Sequence, residues 1–306
     1  MMMNEKELLS FWHISFDRKG DHSLIAGSPN RMEKRFLFHD EKGVSYIAEG
    51  FRREKKEFRK RQNLLLEYFA ENFLTGIQPF LRTFSGEHGI EYDTLFWQVR
   101  PYISAENIPR KEYSTKEQYG LLWGDFLLQM KEKIQREAGL LAMPNPPFFM
   151  SEFFPELMKH AERKMPVIIE ELREMELQLA PFFKWERQQE GLFAHGDFHP
   201  GNILMEKGKI KSVIDWEFAG MKFPGYDMAL LVGCLAMDDP ENLSSPAVKT
   251  LLKHLYSNRF LPEEVWEHLP VMIAATRLGW LGEWLTLEDE TLIAQEMQLL
   301  SMLLKV

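Results

Sequence analysis

The sequence predicts an α+β protein of two lobes, a small strand-rich one over residues 1–99 and a larger, mainly helical one over 116–306. Three observations lead there. Short apolar runs closed by turn clusters fill the first hundred residues, with one long amphipathic stretch among them. The strand pattern then ends at Arg100-Pro101-Tyr102-Ile103, and a polar, proline-bearing segment reads as a connector over 100–115. Beyond it, apolar residues recur at helical spacing to the end. At 306 residues the chain is long enough for two cores of this kind.

In the first lobe, residues 23–26 form a short apolar run closed by Gly27-Ser28-Pro29-Asn30, a turn cluster. Residues 34–39 and 44–51 flank Asp40-Glu41-Lys42-Gly43 and read as a hairpin. A long amphipathic helix follows, carrying Leu64, Leu65, Leu66, Tyr68 and Phe69 without a breaker before Gly76. Residues 81–84 and 94–99 read as a second hairpin. In the second lobe helices are expected over 116–136, 152–163, 167–179, 246–256, 262–268, 271–285 and 289–304. Residues 228–237 are apolar but too short to span a membrane, so a buried helix is expected there. Between the helices lies an island of strand and polar loop, residues 191–226.

Composition narrows the function. The formal net charge of -9 disfavours nucleic acid or an anionic membrane surface as the partner. Residues 52–61 run the other way, with seven basic residues against Glu54 and Glu57, and leave the rest near about -14. A solvated helix face explains such a run as readily as a phosphate contact does. The single cysteine, Cys234, has no internal partner, which fits a reducing compartment. With no secretory leader in residues 1–9, a cytoplasmic location is expected.

The island carries the chemistry. It reads Ala194-His195-Gly196-Asp197-Phe198-His199-Pro200-Gly201-Asn202-Ile203-Leu204, then Val213-Ile214-Asp215-Trp216-Glu217. A short strand leaves the loop, turns over 206–209 and returns in a strand that ends at Asp215. Such a hairpin brings Asp197, Asn202 and Asp215 to one edge. Two carboxylates and an amide oxygen are hard ligands suited to Mg²⁺. His195 and His199 stand four apart, but Pro200 and Gly201 oppose the helix a zinc pair of that spacing requires. Cys234 sits in an apolar run and reads as core.

Here the sequence resembles a known family. His195-x-Asp197-x-x-x-x-Asn202 matches the catalytic-loop pattern of kinases, and Ile214-Asp215-Trp216-Glu217 falls where protein kinases carry D-F-G. With Pro224-Gly225-Tyr226-Asp227-Met228-Ala229, the string is similar to the aminoglycoside phosphotransferase and choline kinase group. The resemblance implies a bilobal protein-kinase-like fold and an ATP- and Mg²⁺-dependent transfer to a small-molecule hydroxyl. It implies that Asp197 orients or deprotonates the acceptor, that Asn202 and Asp215 hold the metal ions, and that His195 and Asp227 support the loop. It places the nucleotide base near residues 96–103, including Gln98 and Arg100, against Ile47. Ser28 and Asn30, in the turn between the first strands, are the candidates to cover the phosphates.

One position departs from the group's pattern. The third strand should bring a lysine to the phosphates, paired to a helix glutamate, yet Ser45-Tyr46-Ile47-Ala48-Glu49 puts Glu49 there. Strand alternation sets Ser45, Ile47 and Glu49 on one face. Three explanations stand open: Lys34, Arg35 or Arg53 does the lysine's work; the pair is inverted, with Lys55, Lys56, Arg59 or Lys60 answering Glu49; or nucleotide binding is impaired. The third would make the chain a non-catalytic binding protein like the kinase-like spore-coat proteins, and Glu49 without a basic partner would favour it. For the acceptor, Asp239, Trp280, Glu283 and Trp284 offer indoles and carboxylates to a cationic or amino-bearing molecule. Trp280 and Trp284, four apart, share a helix face.

Overall fold

The computed structural model describes residues 4–21, 23, 25, 32–72, 76–135 and 143–305. Five strands, β1 (Phe16–Lys19), β2 (Lys34–Asp40), β3 (Ser45–Arg52), β4 (Ile90–Tyr92) and β5 (Leu95–Pro101), form one antiparallel sheet in the order β1-β2-β3-β5-β4. The β2–β3 hairpin lies where the sequence predicts it, in a register that pairs Arg35 with Glu49 and Leu37 with Ile47. Alternation then sorts the residues by face. Phe36, Phe38, Ala48, Trp97 and Val99 point to one side and pack with Leu8, Leu9 and Trp12 from helix α1 (Glu5–Ser10) and its end. Leu37 and Ile47 point to the other side, against Ile25 and Tyr102.

The second hairpin is a correction. Residues 81–84 form no strand; β5 pairs with β4 instead, Glu91 opposite Phe96 and Tyr92 opposite Leu95. The turn is the two residues Asp93 and Thr94, with φ of 44° and 71°. Both central residues are left-handed, as the tight hairpin turn requires, but no Asn-Gly or Asp-Gly pair announces it. Residues 23 and 25 likewise lie outside any strand, and residues 24 and 26–30 lie outside the described residues.

Two compact units emerge. The first holds the sheet, helix α2 (Lys56–Asn72) and, from far along the chain, residues 201–217. That late segment is the antiparallel hairpin β7 (Ile203–Glu206) and β8 (Lys209–Val213). It is tied in by Val213 N–H to the Gly76 carbonyl at 2.9 Å and by Glu106 N–H to the Met205 carbonyl at 2.9 Å, and Trp216 packs on Phe69.

The second unit is helical: α3 (Arg110–Thr115), α4 (Glu117–Gln135), α5 (Met150–Lys164), α6 (Ile169–Glu186), α7 (Tyr226–Asp238), α8 (Pro246–Ser257), α9 (Glu263–Trp266), α10 (Leu269–Leu287) and α11 (Glu290–Leu304). A small pair of strands, β6 (Leu192–Ala194) and β9 (Gly220–Lys222), completes it. From Tyr226 to Ala236, α7 is buried on every side, as an apolar helix without a polar face must be. Helix α4 meets α8 through Gly120, where a Cβ would stand 2.2 Å from the Ala247 carbonyl oxygen. None of the described helices is long and apolar enough to cross a membrane.

Charge is buried in this unit with care. Arg277 is almost wholly enclosed and grips Glu296, itself fully enclosed, through Nε at 2.7 Å and through a second, shorter contact. Trp284 Nε1 also donates to Glu296, and Arg277 donates to the Cys234 sulfur at 3.3 Å. Arg277→Leu should therefore cost about 3 kcal/mol or more, because it leaves the Glu296 carboxylate buried without its cation. Adding Glu296→Leu should recover much of that loss. Denaturant titration of the wild type, both single variants and the double variant checks this. A single variant as stable as the wild type would overturn it.

Candidate functional site

In the first unit the sheet brings charge to one row. Arg35 on β2, Glu49 on β3 and Gln98 on β5 are direct cross-strand partners, so their side chains leave the same face. Glu49 is only 3% exposed, and Arg100, two residues on from Gln98, donates to its Oε1 at 2.9 Å. The acid at the lysine position thus has a basic partner, but from β5. Gln98 is enclosed and donates to the His88 carbonyl at 2.9 Å.

Among the basic residues considered from the sequence, Arg35 and Arg59 line the same cavity as Glu49, Arg100 and Asp215. Lys34, Arg53, Lys56 and Lys60 are not among the residues that line it. Lys34 and Arg53 are exposed, Lys56 pairs with Glu91 at 2.5 Å, and Lys60 lies 3.6 Å from Glu87. Arg59, on α2, is 5% exposed, with its guanidinium 3.8 Å over the Phe51 ring centroid. It donates to Gln62 Oε1 at 2.8 Å and lies 3.4 Å from Glu217 Oε1, which Lys55 also approaches at 3.3 Å. Burial lowers the guanidinium's affinity for its proton, and Glu217, Glu49 and Asp215 oppose that.

Next to this cavity is an apolar slot lined by Ile47, Pro101, Tyr102, Ile103, Leu204 and Ile214, with Arg100 at its edge. Ile47 and Arg100 were legible as candidates. Leu204 and Ile214 were not, because they arrive from a hairpin more than a hundred residues downstream. On that hairpin Ile214 N–H donates to the Asn202 carbonyl at 2.9 Å, which fixes Asn202 beside the end of β8. Asp215 follows with φ of 68°, a left-handed conformation that side chains other than glycine adopt at a cost and that accumulates at functional sites. One amide and one carboxylate side chain on adjoining strand ends fit Mg²⁺, which takes few protein ligands and completes its shell with water and phosphate. Ser28 and Asn30 lie outside the described residues.

In the second unit Asp227 organises the loop that carries Asp197. Its carboxylate accepts His195 N–H at 2.6 Å and Gly196 N–H at 2.8 Å, one on each oxygen. Gly196 has φ of 86°, and a Cβ there would stand 2.3 Å from the Phe218 carbonyl oxygen, so only glycine fits. His195 Nδ1 accepts Asp197 N–H at 3.1 Å. Asp197 is 5% exposed, with His199 Nε2 3.6 Å from its Oδ1. Burial raises Asp227 to about 6 and lowers Lys222, whose ammonium lies over the Phe148 and Tyr226 rings, to about 8.

From Asp197 an aromatic path leads outward. His199 meets Trp280 edge-on at 5.6 Å, and Trp280 packs on Trp284 at 5.2 Å. Glu283 is exposed beside them. Asp239 is spent locally, accepting Glu241 N–H as a helix cap, and its neighbour Asp238 pairs with Arg110 at 2.6 Å. His199 thus stands between Asp197 and Trp280, a position the sequence did not signal, since it offered His199 only as half of a metal pair that Pro200 and Gly201 oppose.

Comparison with known proteins follows the same lines. The sequence model of the phosphotransferase enzyme family matches residues 30–267. Homoserine kinase of Zymomonas mobilis is 24% identical over 113 residues, 36% of this chain and 35% of that protein. Homoserine kinase of Chelativorans sp. is 29% identical over 115 residues, 36% and 35% of the two chains. The chain thus matches about a third of the length of these relatives. Among solved structures, an aminoglycoside phosphotransferase APH(4)-Ia complex with ADP and hygromycin B superposes with a TM-score of 0.67 at 14% identity, covering 98% of this chain and 97% of that one. The GDP complex of aminoglycoside 2'-phosphotransferase-IIIa gives 0.67 at 13% identity, with coverage of 98% and 97%. At these identities the likeness establishes the protein-kinase-like fold.

Asp227 also makes a pH prediction. Its folded pKa lies above the unfolded value, so the folded state holds more protons between about pH 4 and 6. Stability should fall as pH rises through that window, by on the order of 2–3 kcal/mol. Urea denaturation at pH 4.5 and pH 7 checks this against Asp227→Asn, in which the fall should be much reduced. Equal slopes in the two proteins would show that another group carries it.

Proposed function

The chain belongs to the phosphotransferase enzyme family, and on that premise we propose that it moves the γ-phosphoryl group of ATP to a hydroxyl of a small, amine-bearing molecule. The observation that carries this reading is the junction of Asn202 with the strand end at Asp215, an oxygen-donor pair beside both an apolar slot and an arginine-lined cavity. Lined by apolar side chains, the slot suits a purine. The cavity suits the phosphates that follow it.

Asn202 and Asp215 would hold Mg²⁺, which when bound neutralises the phosphate oxygens as charge shifts among them. Asp197 orients the acceptor hydroxyl and takes its proton. A bond forms from the acceptor oxygen to the γ-phosphorus, the bridging β–γ P–O bond breaks, and a nucleoside diphosphate leaves. The backbone bonds from Asp227 keep the Asp197 loop in place, so little reorganisation is left for the reaction itself. His199 beside Asp197, and the Trp280–Trp284 pair beyond it, give the acceptor an aromatic wall with the Glu283 carboxylate near. Indole faces and a carboxylate favour an ammonium group. An unpartnered Glu49 would have favoured the non-catalytic alternative, and Arg100 gives it a partner.

Asp197→Asn should lower turnover by about a thousandfold while ATP affinity stays within about threefold. Asp215→Ala should weaken Mg-ATP binding by about tenfold or more and leave metal-free ATP binding nearly as it was. Calorimetric titration with and without Mg²⁺, beside a turnover assay on amine-bearing alcohols, reads both. Metal-independent ATP binding, or full turnover without Asp197, would sink the reading.

A further inference from the structure

The cavity beneath the Arg35–Glu49–Gln98 row contains more charge than a folded core needs. Arg35, Arg59 and Arg100 line it with Glu49, Asp215 and Glu217. Each carboxylate has a different relation to the cations. Glu49 is bound closely by Arg100 at 2.9 Å, a normal charge-assisted hydrogen bond. Glu217 accepts from Lys55 at 3.3 Å and lies 3.4 Å from the Arg59 guanidinium, both longer than the Arg100–Glu49 contact. Asp215 belongs with Asn202 on the metal-holding strand ends.

Arg59 is the least accessible of the three arginines, and its Nε has no acceptor among the described residues; Arg100 Nε has none either. Buried donors of a charged group seldom go without an acceptor, since each forfeits hydration without return. Arg59 is also fixed in place. Phe51 supports one face of its guanidinium, and Gln62 takes one terminal N–H. What remains is a rigid, enclosed fork of donors facing a cavity, the geometry that recognises oxyanions. With Asp215 assigned to a metal ion, the lining arginines Arg35, Arg59 and Arg100 outnumber the lining acids Glu49 and Glu217.

We propose that Arg59 of helix α2 anchors the phosphate chain, doing from the helix what a strand lysine does elsewhere in the family, and that Glu217 is its resting counter-ion, displaced when phosphate oxygens enter. The proposal rests on the nucleotide reading above and adds an inverted arrangement to it. The acid stands on the strand at Glu49, neutralised across the sheet by Arg100, and the cation stands on the helix. Its consequence is a competition: Glu217 and phosphate vie for one guanidinium, so weakening Glu217 should strengthen phosphate binding.

The test uses the full chain with two probes, ATP and inorganic tripolyphosphate, titrated calorimetrically with Mg²⁺ and in EDTA. The wild type should bind both. Arg59→Gln should weaken both by about tenfold or more, and Arg59→Lys should recover part of the loss. Glu217→Gln should tighten metal-free tripolyphosphate by about three- to tenfold, a gain that a merely bracing ion pair would not produce. If Arg59→Gln is folded by circular dichroism and binds both probes as the wild type does, the inference is overturned and the nucleotide reading stands. Should Arg59→Gln fail to fold, Glu217→Gln decides alone, and unchanged or weaker binding there overturns the inference. A wild type that binds neither probe overturns the inference and the nucleotide reading together.

Discussion

The Asp227 carboxylate, buried at the start of a largely apolar helix, is the interaction on which the rest of the second unit's candidate site depends. Its two oxygens each take one backbone N–H of the loop that bears Asp197, and those bonds hold the loop's shape without using any side chain of the loop. The arrangement has a cost. Burial pushes the carboxylate up to about 6, so the protein holds a charge where water would have held it more easily. Lys222, also buried and with its own pKa depressed to about 8, is the nearby charge that offsets part of that cost. A loop held this way needs Gly196, because the backbone turns left-handed against the Phe218 carbonyl.

In the first unit the equivalent constraint is electrostatic balance. A carboxylate at Glu49, facing the place where phosphates are expected, would repel them if it stood alone. The fold answers by pairing it across the sheet with Arg100 and setting Arg35 opposite it in register. That leaves the helix arginine, Arg59, as the enclosed cation that the closely bound acid does not consume. Family membership and an unusual charge pattern are therefore compatible, since phosphoryl transfer asks for positive charge at the phosphates and is indifferent to the element that delivers it.

How much could be read beforehand depended on whether the signal was local. The β2–β3 hairpin, α2, the helices expected beyond residue 116 and the buried character of α7 follow from periodicity and turn residues, and all are found, whereas α3 lies in the stretch that read as a connector. The β4–β5 hairpin was missed because Asp93-Thr94 takes left-handed geometry without the glycine that usually marks it. Asp197, Asn202 and Asp215 could be proposed from the sequence because their spacing is set within one continuous strand-loop-strand segment. Their partners were not. Leu204 and Ile214 beside Ile47, Arg100 on Glu49, and His199 against Trp280 all join residues from separate elements.

By itself the sequence determined the class of protein, the loop proposed to carry the chemistry and the fact that an acid stands where a lysine is expected. Each of these is a property of residue type at fixed spacing along one chain. Only the tertiary structure decided what that acid means. Whether Glu49 is a defect or half of a balanced pair depends on which guanidinium reaches it, and that is set by sheet register, which aligns Arg35 and Gln98 with it and brings Arg100 within hydrogen-bonding distance. The same holds for Arg59, one of seven basic residues in a run whose charge pattern looks like an ordinary solvated face. Helical rotation turns this one inward onto Phe51 while its neighbours Lys56 and Lys60 meet acids at the surface. Coulomb energy depends on distance and burial, and a linear sequence specifies neither.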